Sequence, residues 1–357
     1  MILSNLSLQN FRSYAKKTFE FSTGTTLIVG PNTAGKTNIL EAIAFLATGK
    51  SFRADQDREA IGWGSEMTWI KSQISNLNDQ ISLEVVITQG EVQGQEVPMK
   101  KYLVNGVPRR QVDFVGNLRA VLFWPEHLEL VTDSPSIRRK YLDSVLVQVD
   151  REYRRNLSSY ERGLRQRNRL LDLINEGKAG RGQLLFWNQL LIKAGEYITE
   201  KRGELIDFVN RYKMSDVRYQ IEYDKSVISE SRLEQYAAEE VGAKATLVGP
   251  HRDDFVVMKS QIPNPNDQAN IKQLSKYGSR GEQRLAVLWL KLAELSYIEQ
   301  ESGERPILLL DDIFSELDEG HRRLVVDLVG KQQTILTSAD EASVPKEILG
   351  AAKVIRL

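Results

Sequence analysis

The segment Gly30-Pro31-Asn32-Thr33-Ala34-Gly35-Lys36-Thr37 conforms in full to the pattern G-x-x-x-x-G-K-[ST], and it has a distant companion. Near the other end, an apolar run, Ile307-Leu308-Leu309-Leu310, delivers Asp311-Asp312. A glycine loop of this kind cradles phosphate with backbone N–H groups, and acids at a strand end supply metal and water positions. Lys36 and Asp311 are 275 positions apart. A nucleotide domain built in one piece needs far fewer. The pattern therefore constrains the chain to a split α/β domain with a large insertion.

With 357 residues there is room for two domains and a sizeable core. Lys plus Arg equals Asp plus Glu at 48 each, so any basic surface must be local. No cysteine is present, which excludes disulfides and thiolate metal sites. The start, Met1-Ile2-Leu3-Ser4-Asn5-Leu6, lacks a basic region followed by a long apolar stretch. No run approaches the roughly 18 apolar residues of a membrane helix. The expectation is a soluble, cytoplasmic protein with no membrane partner.

Leu6 and Leu8, then Phe19 and Phe21, alternate with polar residues as strands do. Thr25 to Val29 runs straight into the glycine loop, and Ile39, Leu40, Ile43, Ala44 and Ala47 then recur at helical spacing. Ile81 to Thr88 predicts a strand, Asn105-Gly106 a hairpin turn, and Ala120 to Trp124 a short strand that Pro125 ends. Ser134-Pro135 opens a helical region reaching about Asn175, with a break near Asp150. After the loop Gly177–Gly182, a second long helix covers about Leu184 to Tyr212. Two long helices joined by a short loop predict an antiparallel arm. Strand-like alternation returns in Val217, Tyr219, Ile221 and Tyr223, and the polar run Pro263-Asn264-Pro265-Asn266-Asp267 reads as a mobile loop. A helix from about Glu282 to Glu299 and strands near Ile307–Leu310, Thr334–Thr337 and Val354–Leu357 complete the body. The expected division is 1–133, first part of the head; 134–215, helical arm; and 216–357, second part of the head.

In the loop, Gly30 and Gly35 let the backbone approach phosphate oxygens, and the following helix adds its positive end. Lys36 serves as a point charge for the β- and γ-phosphates, and Thr37 offers a hydroxyl to Mg²⁺. Asp311 is placed to hold the metal shell and Asp312 to polarise a water. A glycine turn without ligand, and a strand ending in two solvated acids, are the plainer alternatives. Ser279, in Tyr277-Gly278-Ser279-Arg280-Gly281-Glu282, is a natural cap for a helix opening near Gly281.

Taken in order, these pieces resemble an ABC-type ATPase head of the SMC-like branch, with an inserted antiparallel helical arm. Within that branch the chain is similar to the RecF family. The similarity is carried by Asn10-Phe11-Arg12-Ser13-Tyr14, Gly35-Lys36-Thr37-Asn38-Ile39-Leu40-Glu41-Ala42-Ile43, Ser51-Phe52-Arg53 and Ser136-Ile137-Arg138-Arg139. Gly249-Pro250-His251-Arg252-Asp253-Asp254, Ser279-Arg280-Gly281 and Asp311-Asp312-Ile313-Phe314-Ser315-Glu316-Leu317-Asp318 complete it. The resemblance implies mixed sheets with helices and a nucleotide site of Arg12, Gly30, Pro31, Asn32, Thr33, Ala34, Gly35, Lys36, Thr37 and Asn38. It further implies that Ser279 and Gly281 act on the nucleotide of a second copy, with Asp312, Lys36 and Ser279 catalytic and Thr37 and Asp311 on the metal. ATP and Mg²⁺ are the implied cofactors. DNA, an ATP-dependent second copy, RecR and RecO are the implied partners, in a bacterial, nucleoid-associated setting. Ser315 to Asp318 resembles a loop that communicates between two such sites. Three positions depart from the family pattern, Thr33 for glycine, Glu282 for glutamine and His127 for aspartate, and Thr337-Ser338 stands where transporter-type domains carry a switch histidine. His127, His251 and His321 are the only histidines, and none stands there.

From Ser136 to Glu176 there are ten Arg or Lys against six Asp or Glu. Arg151, Arg154, Arg155, Arg162, Arg165, Arg167 and Arg169, with Tyr153 and Tyr160 interleaved, form either a phosphate-contacting surface or a solvated helix face. His251, Asp253 and Asp254 suggest a structural cluster rather than a metal site, since no other histidine is near in sequence. Two other readings compete: a transporter-driving subunit, whose signature lies closer to the glycine loop, and a head that regulates a partner nuclease.

Overall fold

The computed structural model describes residues 1–75, 80–214, 218–260, 271–316 and 319–357. They form two compact units, one of residues 1–127 with 294–357 and one of residues 128–293. Residues 218–260 and 271–293, which the sequence groups with the head, thus fall in the unit that holds the helical segment.

The first unit is built on two sheets. One is a parallel sheet of five strands in the order Ala120–Phe123, Ile307–Asp311, Thr334–Ser338, Thr25–Val29 and Lys353–Arg356. Ile307–Asp311 and Thr334–Ser338 are buried along their whole length, which explains their near-continuous apolar and β-branched sequence. The helix Lys36–Thr48 buries ten of its 13 residues, so its apolar positions run around the helix rather than along one stripe. The other sheet is antiparallel, ordered Tyr14–Glu20, Ile2–Phe11, Met67–Ser75, Gln80–Thr88, Lys100–Val104 and Val107–Arg109. Met67–Ser75 shows the period of two: Thr68, Ile70, Ser72 and Ile74 point inward and their neighbours outward. The expected Asn-Gly hairpin is present, with Asn105 at φ 52° and Gly106 at φ 75° joining the paired Val104 and Val107.

The second unit holds the arm. Its first helical region is two helices, Pro135–Val149 and Arg151–Asn175. They part at Asp150, whose carboxylate accepts from the N–H groups of Glu152 and Tyr153 at 2.8 and 2.9 Å. The helix Leu185–Arg211 packs along Arg151–Asn175. A three-stranded antiparallel sheet, Arg218–Asp224, Asp254–Ser260 and Ile271–Gln273, completes this unit. The long helix Arg280–Ser302 starts in it and leads back to the first unit. Among the described residues, no helix is long and apolar enough to cross a membrane. Val217, the run Pro263 to Asp267, and Leu317 and Asp318 lie outside the described residues.

Candidate nucleotide site and its companions

The glycine loop leaves the end of strand Thr25–Val29 and enters the helix at Lys36. Its crest, Pro31 to Thr33, is exposed, while Gly30, Gly35 and Lys36 are buried. Gly35 sits at φ 94°, and a Cβ there would come 2.8 Å from the Tyr14 hydroxyl, so both backbone and space require glycine. That hydroxyl donates to the Gly35 carbonyl at 3.2 Å, and burial pushes the Tyr14 pKa up to about 12. Thr33 takes φ 76°, a left-handed conformation that a β-branched residue adopts only under strain. Threonine at this position thus carries backbone strain that a glycine would not.

Lys36 folds back over the loop and donates from Nζ to the carbonyls of Gly30 and Pro31, at 2.7 and 3.0 Å. Thr37 donates from Oγ1 to Asp311 Oδ2 at 2.7 Å, bringing together two residues 274 positions apart. Asp311 Oδ1 accepts from Thr337 Oγ1 at 2.6 Å, and the Asp312 N–H donates to the same Thr337 oxygen at 3.1 Å. Asp312 itself is held at φ 47°. Hydroxyl and carboxylate side by side are the hard oxygen donors Mg²⁺ prefers, and it needs few of them when phosphate and water supply the rest.

Arg12 lies at φ 51° in the turn after Ile2–Phe11. Its guanidinium spans the fully buried Glu41 carboxylate at 3.0 and 2.6 Å and donates to the Glu59 carbonyl at 2.8 Å. Glu41 also accepts from Ser51 Oγ at 2.5 Å, and Asn38 joins Ser13 and Arg53 at 3.0 Å each. The runs Asn10–Tyr14 and Ser51–Arg53 thus brace the first turns of the phosphate-loop helix. His127 accepts from the Trp124 N–H through Nδ1 at 3.1 Å, an acceptor's task that a carboxylate oxygen could also perform.

Ser279 and Gly281 belong to the second unit. Ser279 caps the helix Arg280–Ser302 in a reciprocal box: the Glu282 N–H donates to Ser279 Oγ at 3.3 Å, and the Ser279 N–H donates to Glu282 Oε2 at 2.8 Å. Lys259 and Lys272 reach the Glu282 carboxylate at 2.8 and 3.0 Å. Those lysines and the Ser279 N–H hold Glu282 well below the usual carboxylate range. A neutral glutamine would not recruit two cations to this helix entrance.

The run Gly249 to Asp254 is the hub of the second unit. Asp253 is fully buried and accepts from Arg202 at 2.9 Å, Tyr223 Oη at 2.5 Å and the Ser226 N–H at 2.8 Å. Arg202 also reaches Asp143 and the Pro250 carbonyl, at 2.8 and 2.7 Å. Arg138 clasps Asp254 with two bonds of 2.6 and 3.0 Å. Gly249, at φ 126°, leaves room only for a hydrogen, since a Cβ would collide with Tyr160 Oη. His251 donates from Nε2 to the Thr246 carbonyl at 3.0 Å, which leaves Nδ1 to accept from Tyr160 Oη at 2.8 Å. This run is a structural cluster whose oxygens and nitrogens are engaged within the protein.

The arm helix corrects the sequence reading at several positions. Tyr153, Tyr160 and Arg167 are buried, and Arg167 pairs with the buried Glu240 at 2.6 Å. Arg154 is half-buried and donates to the Val147 carbonyl at 2.6 Å. Arg151, Arg155, Arg162, Arg165 and Arg169 are exposed. Their spacing of three, four or seven places them on one face, a stripe of about 27 Å at ~1.5 Å per residue.

A family model described as the RecF/RecN/SMC N terminal domain matches residues 2–348. A DNA replication and repair protein RecF of Roseiflexus castenholzii is 35% identical, with 95% of this chain and 93% of the relative covered. The RecF protein of Lachnoclostridium phytofermentans is also 35% identical, covering 94% and 92% respectively. Among solved structures, the chain is similar to the recombination mediator protein RecF with ATP in the RecFOR pathway, at a TM-score of 0.83 and 30% identity. That match covers 96% of this chain and 93% of the other. An Smc head bound to the C-terminal winged-helix domain of ScpA matches at a TM-score of 0.51 and 18% identity, over 99% and 93%, and shares the fold alone.

Proposed function

This chain belongs to the RecF/RecN/SMC family, and from that premise we propose that it is an ATP-dependent, DNA-binding clamp of recombinational repair. The observation that carries the reading is the closure of Thr37 on Asp311 at 2.7 Å beneath an intact phosphate loop. Gly30, Pro31, Asn32, Thr33, Ala34, Gly35 and Lys36 would cradle the phosphates, with Asn38 and Arg12 bracing the nucleotide side. Thr37 and Asp311 would hold Mg²⁺, which when bound neutralises phosphate charge. Asp312 would orient the attacking water. Ser279 and Gly281 would act on the nucleotide of a second copy, so that the signature segment serves the head although it packs in the second unit.

DNA contact is assigned to the arm. The arginine stripe matches about eight base pairs at ~3.4 Å each, and guanidinium groups without a base-reading arrangement favour phosphate contact irrespective of sequence. The target in this reading is double-stranded DNA or a gap junction in the bacterial cytoplasm, at the nucleoid. The relatives' RecFOR setting extends to this chain as a proposed partnership with RecO and RecR. Hydrolysis, slow and stimulated by DNA, would release the clamp. Light scattering of the Asp312→Asn variant with ATP, with ADP and without nucleotide tests the clamp. A dimer with ATP alone, abolished by Ser279→Arg, is expected; a monomer under every condition, DNA included, refutes it.

A further inference from the structure

Asp311 and Thr337 are register neighbours on adjacent parallel strands, and Thr337 pairs on its other side with Ile28 of the phosphate-loop strand. Its side chain is buried, 1% exposed. One hydroxyl there does two things: it donates to Asp311 Oδ1 at 2.6 Å and accepts from the Asp312 N–H at 3.1 Å. Because its single proton points at Asp311, its lone pairs face Asp312, and the two bonds are compatible only in this orientation.

We propose that Thr337 is a positioning residue that couples the metal-side carboxylate to the water-side acid. The inference rests on the nucleotide reading above. Asp311 is held between two hydroxyls, Thr37 on Oδ2 and Thr337 on Oδ1, which fixes the plane of its carboxylate. Asp312 leaves the strand at φ 47°, and the Thr337 oxygen receives the N–H of that turned residue. Without the hydroxyl, the carboxylate plane and the direction of the next residue would be set independently. Partners one step removed from a metal typically change affinity or activity by about 10- to 100-fold when lost.

The test compares wild type with Thr337→Val, which keeps the shape and removes the hydroxyl, and Thr337→Ser, which keeps the hydroxyl. Steady-state ATP hydrolysis gives kcat and KM. A Mg²⁺ titration of fluorescent ATP-analogue binding reports the metal side without turnover. Thr337→Val is expected to lower kcat by about 10- to 100-fold and to raise the Mg²⁺ requirement, with analogue binding in EDTA unchanged. Thr337→Ser is expected to restore both. Should Thr337→Val fail to fold by circular dichroism, Thr337→Ala carries the same comparison. A hydroxyl-free variant with wild-type kcat and Mg²⁺ requirement overturns the proposal alone. A wild-type chain that neither binds nor hydrolyses ATP overturns the nucleotide reading with it.

Discussion

Lowering the pH should loosen the second unit through His251. Burial, the largest cause, with the charges of Arg252, Arg139 and Arg167, pulls the His251 pKa from 6.5 down to about 4. The folded protein therefore keeps the ring neutral where an unfolded chain would protonate it. A group with a depressed folded pKa of this kind contributes full stability above its unfolded value of 6.5, and that stability is lost as pH falls from there towards 4. At pH 5 the unfolded ring is nearly all protonated and the folded ring about one-tenth, which works out to a linkage cost of about 2 kcal/mol. At pH 7 the cost is only ~0.2 kcal/mol. The variant His251→Gln carries no proton in either state. Amide hydrogen exchange in the helix Arg151–Asn175, corrected for intrinsic rates, reads the opening free energy at both pH values. Wild type should lose about 2 kcal/mol more than His251→Gln between pH 7 and pH 5. Parallel losses would show that the ring is not held neutral, and the account of the Tyr160–His251–Thr246 chain would fall.

Two other perturbations follow from the same unit. Arg202→Met should destabilise it by about 3–5 kcal/mol, because Asp253 and Asp143 lose their shared cation, and adding Asp253→Asn should recover part of the loss in a urea titration. Replacing Arg162, Arg165 and Arg169 together by glutamine should flatten the slope of log affinity for duplex DNA against log salt by about 2.7, at ~0.9 per phosphate contact; an unchanged slope would remove the stripe from the DNA surface.

The phosphate loop was legible because its chemistry is local: eight consecutive residues, a strand before and a helix after. Asp150 was similarly legible as a helix break, since capping operates over three residues. Arg167 was not. A charged residue on a basic helix reads as solvated, and only the return of Glu240 some 73 residues later takes it out of solvent. Tyr153 and Tyr160 follow the same logic, because the face they occupy is buried by helices the sequence pattern does not align. Thr337 stood out in the sequence only as a threonine in a place where a histidine was sought. Its partners came from strand register, which a single sequence does not state.

The order of strands in the parallel sheet bears on how the molecule is made. The phosphate-loop strand Thr25–Val29 is flanked by Thr334–Ser338 on one side and Lys353–Arg356 on the other. A ribosome thus releases the loop some 300 residues before either neighbour exists. Residues 128–293, the other compact unit, are all made in the interval, while the strand of the loop has neither of its parallel neighbours. A prematurely terminated product would carry a complete glycine motif and no sheet to hold it. Competence to bind nucleotide would then arrive only once both flanking strands have been made, so that the site doubles as a report that the chain has been read at least as far as Arg356.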